Sequence, residues 1–135
     1  MGADTAVSVQ CDADIVEARQ LARRVALETG FTGSTPTLIA TAVSELARNI
    51  LQYAGSGQIV IGVVRRGPRL GVSVCARDAG PGIASIELAM RDGYSTGGSL
   101  GIGLPGARRL LDEFEIQSEL GCGTTVRGTK WLPLT

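Results

Sequence analysis

Asn49 follows Glu45 by four positions in Glu45-Leu46-Ala47-Arg48-Asn49. On a helix that spacing puts a carboxylate and an amide on adjacent turns of one face, about 40° apart. An amide oxygen is a neutral, hard ligand for Mg2+, an ion that otherwise keeps waters and substrate phosphates. The carboxylate can reach the metal through water or accept a proton from a hydroxyl. Further along, Asp78-Ala79-Gly80-Pro81-Gly82 sets an acceptor at a strand end, before glycines (Gly80, Gly82) that let a ligand approach the backbone. Such an acceptor suits the amino group of adenine. Gly97, Gly98, Gly101 and Gly103 then supply backbone amides that, with a following helix N-terminus, suit phosphate oxygens. Gly123-Thr124-Thr125 opens a strand with two hydroxyls able to orient a water or Asp78 at a base.

Each motif alone has a plainer reading. Glu45 and Asn49 fit a solvated helix edge, Asp78 fits an Asp-Gly turn, and Thr124 and Thr125 fit simple strand propensity. Gly101 to Gly106 also matches the G-x-G-x-x-G pattern of dinucleotide folds, which must directly follow a strand. Here Tyr94-Ser95-Thr96-Gly97-Gly98 precedes it instead. Taken in order, the four motifs supply the parts of one ATP and Mg2+ site, and the ordered set outweighs the separate plain readings.

These groups need elements to hold them. Ala6 to Val9 reads as a first strand. Asp12 or Asp14 can cap a helix to about Thr29, with Ile15, Ala18, Ala22, Val25 and Ala26 on one stripe and Gly30 ending it. Ser34 or Thr35 caps a second helix with Pro36 in its first turn, and Ile39, Val43, Leu46, Ile50 and Tyr53 form its buried stripe to near Ala54-Gly55. Gln58 to Arg65 and Leu70 to Arg77 alternate around Gly67-Pro68 and predict an antiparallel hairpin. Arg65, Arg66 and Arg69 flank that turn and are expected to be a solvated loop.

Six of the nineteen glycines lie between Gly93 and Gly106, which predicts a mobile loop. A helix from Gly106 to Glu113 and strands Phe114–Ser118 and Thr124–Trp131 complete the order. That order predicts an α+β fold: a two-layer sandwich with a mixed, mostly antiparallel sheet and helices on one face.

Composition narrows the function. A chain of 135 residues with 44% hydrophobic content predicts one domain over 1–135 with one core. Net charge is zero, so nothing draws the whole chain to nucleic acid. No apolar run reaches the roughly 18 residues of a membrane span, and no secretory signal opens the chain, so a cytoplasmic location is expected. There is no histidine, which excludes a Ser-His-Asp triad and phosphorylation on histidine. Lys130 is the single lysine, which excludes a P-loop with its phosphate-binding lysine. Cys11, Cys75 and Cys122 have neither zinc spacing nor a disulfide framework.

The ordered motifs resemble the ATP-binding fold shared by gyrase, the Hsp90 chaperone, histidine kinases and MutL, the GHKL family. Glu45 and Asn49 match its N-box, Asp78 to Gly82 its D-x-G-x-G box, Gly101 and Gly103 its second glycine box, and Gly123-Thr124-Thr125 its G-T-T element. The resemblance implies that Asn49 coordinates Mg2+, with Glu45 reaching it through water, and that Asp78 contacts adenine. The length is similar to the small serine/threonine kinases that regulate alternative sigma factors. Ala42 to Asn49, Asp92 to Thr96 and Leu104 to Leu110 carry that likeness.

Within that branch Glu45 is implied as the base or orienter for a hydroxyl. The implied substrates are STAS-domain scaffold and antagonist proteins of a stressosome, and a second partner is a PP2C-type phosphatase that the kinase activates. The alternative is a nucleotide-dependent switch or anti-sigma factor that acts by docking. Two departures stand out. Ile50 and Tyr53 occupy positions where many members have alanine and a basic residue or histidine. Ser99 and Leu100 lie where some anti-sigma kinases carry an arginine, and Arg108 and Arg109 are candidates to replace it.

Overall fold

Ile59, Ile61, Val72, Val74, Ala76 and Val126 line one face of a sheet, and the apolar stripes of two long helices cover it. The computed structural model describes residues 4–83, 90 and 103–134. Gly93, Tyr94, Gly97, Gly98 and Gly101 therefore lie outside the described residues, as does most of the expected phosphate loop. The described elements are β1 (Thr5–Val9), α1 (Asp12–Thr29), α2 (Thr35–Tyr53), β2 (Gly57–Arg66), β3 (Arg69–Asp78), α3 (Gly103–Leu110), β4 (Glu113–Glu119) and β5 (Gly123–Trp131).

The sheet order is β1-β2-β3-β5-β4, and all four pairings are antiparallel. The expected α+β layering holds, while the expected mixed sheet is antiparallel throughout the described strands. The reason is topological. β3 and β4 run the same way, joined through α3, but β5 inserts between them and opposes both. The two helices between β1 and β2 return the chain reversed, so that pair is antiparallel as well.

The N-cap of α1 is Cys11, not Asp12 or Asp14. Asp14, in the first turn, reaches back so that its Oδ2 accepts the N–H groups of Gln10 at 2.8 Å and Cys11 at 3.3 Å. This satisfies amides that a helix start leaves open. α2 is buried on more than a stripe: Ala40, Ala42, Ser44, Glu45 and Ala47 are buried along with Ile39, Val43, Leu46 and Ile50. It packs on α1, the sheet and α3 at once. Each large apolar side chain so buried contributes about 1.5–3 kcal/mol. Tyr53, expected on the buried stripe, is 40% exposed because it falls in the last turn of α2.

Arg65 and Arg66 of the β2–β3 turn are exposed, as expected, but the arginines there are more than a solvated loop. Arg66 and Arg69 lie over the Trp131 ring, 4.9 and 4.8 Å from its centroid. Glu113 accepts from Arg66 at 2.9 and 3.3 Å and from the Trp131 indole N–H at 3.0 Å. Arg65, one residue before Arg66, turns to the other face and lines a shallow cavity with Leu21, Arg24, Val25 and Leu70.

The Arg66 hydrogen bond, then the Trp131 indole, hold the Glu113 carboxyl below the usual range. A carboxyl lowered on folding stabilises the fold above its unfolded value and loses that contribution as pH falls through the lower folded value. Trp131 is the single tryptophan, so its emission reports the change. Emission should hold steady from neutral pH to about 5 and shift as pH falls below the ordinary glutamate range near about 4.3. Glu113→Gln should remove that step, and an identical acid transition in the variant would assign it elsewhere.

Candidate active site

Glu45 is only 6% exposed, although a carboxylate is almost never buried without partners. Both of its oxygens are engaged. Oε1 accepts the Gly103 backbone N–H at 2.9 Å, and Oε2 pairs with Arg48 Nη1 one turn along α2. The Gly103 N–H belongs to the first turn of α3, where helical amides lack internal partners and negative charge is favoured. Glu45 thus caps α3. This also corrects the start of that helix, which begins at Gly103 and not at Gly106. The glycine content argued against a helix there, but the carboxylate cap and the packing of Leu104 and Ala107 outweigh intrinsic propensity.

Asn49 is half-buried at the edge of α2, and its amide makes no hydrogen bond among the described residues. Gln52 lies one turn further on the same side. Its Nε2 is a buried donor with no hydrogen-bond partner. The Asn49 amide, one turn from Glu45, is thus available to a ligand's oxygen atoms or a metal.

The other half of the site sits at the end of β3. Asp78 stands opposite Thr124 of β5, and both project to the helix-covered face, as Ala76 and Val126 do. Asp78 Oδ1 accepts the Gly80 N–H at 2.9 Å, which shapes the turn. At Gly80 a Cβ would lie 2.5 Å from the Ala54 Cβ, so only glycine lets this turn rest against the end of α2. That contact brings the Asp78 turn to the helix carrying Glu45 and Asn49. Gly123, at φ +89, runs so close that a Cβ would lie 2.2 Å from the Asp78 carbonyl oxygen. A Cβ at Gly82 would meet the Glu119 carbonyl oxygen at 2.1 Å. At Gly80 and Gly82 the space a side chain would fill holds protein, so these glycines serve the close packing of the turn.

The expected site residues do not all converge. Glu45, Asn49, Asp78, Gly80, Gly103 and Thr124 share one side of the sheet. Thr125 is opposite Arg77 and falls on the other face by strand alternation. Arg108 and Arg109 occupy the last turn of α3, where cations complement the helix dipole, at the far end of α3 from Gly103. Three residues went unpredicted. Arg48 was signalled by its i+3 spacing from Glu45, and Gln52 by its i+3 spacing from Asn49. Ser118 was signalled by hairpin register, which sets it opposite Thr124.

Among the described residues no helix is long and apolar enough to cross a membrane. The family of histidine kinase-, DNA gyrase B- and HSP90-like ATPases matches residues 34–135. The serine/threonine-protein kinase RsbT of Bacillus subtilis (strain 168) is 49% identical over 98% of this chain and 99% of its own. An anti-sigma F factor of Thermoanaerobacter sp. (strain X514) is 33% identical over 70% of this chain and 68% of its own. The solved RsbU and RsbW domains of a Mycobacterium tuberculosis protein superpose with a TM-score of 0.64 at 19% identity, covering 98% of this chain and 34% of that one. The mycobacterial sensor histidine kinase MprB gives 0.57 at 13% identity over 96% and 97%. These two likenesses reach the fold, whereas the family match and the RsbT identity reach the sequence itself: the chain belongs to the histidine kinase-, DNA gyrase B- and HSP90-like ATPase family.

Proposed function

We propose that this chain is a serine/threonine protein kinase that transfers a phosphoryl group from Mg-ATP to a hydroxyl of a partner protein. The observation that carries the reading is a buried carboxylate, Glu45, one turn from the open amide of Asn49. The Gly80–Ala54 contact joins both to the Asp78 turn. The 49% identity to a serine/threonine-protein kinase over nearly the whole of both chains supports the same reaction.

Asp78 and Thr124 receive the adenine, and Asn49 holds Mg2+ together with substrate phosphates. One or two protein ligands beside substrate phosphates and water is the mode Mg2+ prefers. The bound ion supplies charge neutralisation for the phosphates. The glycines Gly97, Gly98 and Gly101, which lie outside the described residues, and Gly103 are the residues proposed to bind those phosphates. Thr125 contributes through its backbone at the strand start, since its side chain faces away.

Glu45 acts as base or orienter for the incoming hydroxyl. Opening the Arg48 pair frees Oε2 for the proton while Oε1 stays on the Gly103 amide. Positioning of this kind, plus charge stabilisation, is most of what phosphoryl transfer asks of a protein.

The substrates are STAS-domain scaffold or antagonist proteins, the second partner is a PP2C-type phosphatase, and the setting is cytoplasmic stress or sigma-factor signalling. A docking switch is the second reading, favoured by the likeness to an anti-sigma F factor. Incubation with labelled ATP and a STAS-domain protein encoded beside this chain tests the proposal. Label on a serine or threonine is the expected result. An unlabelled substrate that still forms a nucleotide-dependent complex would leave the docking reading.

A further inference from the structure

We propose that Ser118 is a positioning residue for base recognition: it commits the proton of the Thr124 hydroxyl, so that Thr124 joins Asp78 as a second acceptor and the pocket selects a purine carrying a 6-amino group. The proposal rests on the nucleotide reading above and deepens it. Ser118 lies on β4, directly opposite Thr124 of β5, which in turn is opposite Asp78 of β3. Three neighbouring strands thus place Ser118, Thr124 and Asp78 in one row on the helix-covered face. Thr124 is only 6% exposed, so its hydroxyl proton needs a defined partner.

The Ser118 oxygen has three neighbours. The Ile83 N–H is at 2.7 Å, the Gly123 carbonyl oxygen at 3.1 Å and the Thr124 hydroxyl oxygen at 2.8 Å. A serine hydroxyl has one proton and two lone pairs. The Ile83 amide can only donate, so it takes one lone pair. The Gly123 carbonyl can only accept, so it takes the proton. What remains for Thr124 is the second lone pair, and the Thr124 proton therefore points to Ser118. The Thr124 oxygen is left with lone pairs alone, beside a carboxylate that also accepts. Two acceptors side by side match the two hydrogens of a 6-amino group and oppose the 6-oxo oxygen of inosine or guanosine nucleotides. The same Ser118 oxygen ties Ile83, where the Asp78 turn ends, to the sheet.

Calorimetry with ATP and with ITP tests the assignment. The wild-type chain should prefer ATP. Ser118→Ala frees the Thr124 hydroxyl to rotate and donate toward a 6-oxo group, and the ATP-to-ITP affinity ratio should fall roughly tenfold, about one hydrogen bond. Ser118→Thr keeps a hydroxyl and should restore the ratio. Thr124→Val should lower the ratio by a similar factor without Ser118 being touched, which covers the case in which Ser118→Ala fails to fold. An equal loss of ATP and ITP affinity in Ser118→Ala would make Ser118 a structural tie only and overturn the proposal, as would an unchanged ratio. A wild-type chain that binds neither nucleotide would overturn the nucleotide reading itself, and a wild-type chain that binds both with no preference would overturn only the selection by Ser118.

Discussion

Glu45→Gln is expected to keep nucleotide and to lose phosphate transfer by roughly 10²–10⁴-fold. An amide oxygen can still accept the Gly103 N–H that Oε1 accepts at 2.9 Å, so the first turn of α3 keeps its cap. The amide cannot take a proton from an incoming hydroxyl. Its NH2 would also meet the Arg48 guanidinium, two donors in contact, and that pair opens. The Arg48 side chain is 39% exposed against 7% for that of Glu45, so the guanidinium can turn to solvent. The pair is then lost without leaving a charge buried, since the buried partner is neutral and Arg48 reaches water. Calorimetry with Mg-ATP and a labelled-phosphate assay on a STAS-domain protein separate binding from transfer. Transfer at the wild-type rate would reduce Glu45 to a cap for α3. A variant that still binds its substrate in a pull-down without phosphorylating it would separate docking from chemistry in a single chain.

Asp78→Asn is expected to weaken ATP binding by about 10- to 100-fold, the consequence of leaving a desolvated donor against a donor, ~1–3 kcal/mol. The turn itself should survive, because the asparagine oxygen can still accept the Gly80 N–H at the 2.9 Å contact that Asp78 Oδ1 makes. The new NH2 then occupies the other oxygen's place and faces the adenine amino group. The thermal midpoint without nucleotide should hardly move, which separates a lost ligand contact from a lost fold. An unchanged ATP affinity would remove Asp78 from the site.

The parts of the fold that show in the sequence are those with a local physical signature. The i, i+4 and i, i+7 recurrence of Ile39, Val43, Leu46 and Ile50 marks α2 because one helix face must be apolar to be buried. Alternation around Gly67-Pro68 marks β2 and β3 for the equivalent reason with period two. The ordered motifs at Glu45, Asn49, Asp78, Gly103 and Thr124 are legible because the residue types themselves carry the chemistry.

Residue order alone therefore determined the helix and strand content, the family and the residue types of the candidate site. Tertiary structure decided the rest, since the deciding contacts join residues far apart in the chain. The start of α3 depends on a carboxylate 58 positions away, Glu45 on Gly103, which outweighs the weak helix propensity of a glycine-rich stretch. Arg66 and Arg69 lie over the Trp131 ring because the β3–β5 register brings Trp131 to Gly71, where the absence of a side chain leaves room for the ring. Thr124 and Thr125 are equivalent in composition. Pairing of β5 with β3 sends the first toward Asp78 and the second to the opposite face, because successive strand side chains alternate. The Ser118 wiring appears only when three strands lie side by side, since hydrogen-bond direction is set by neighbours in space and not along the chain.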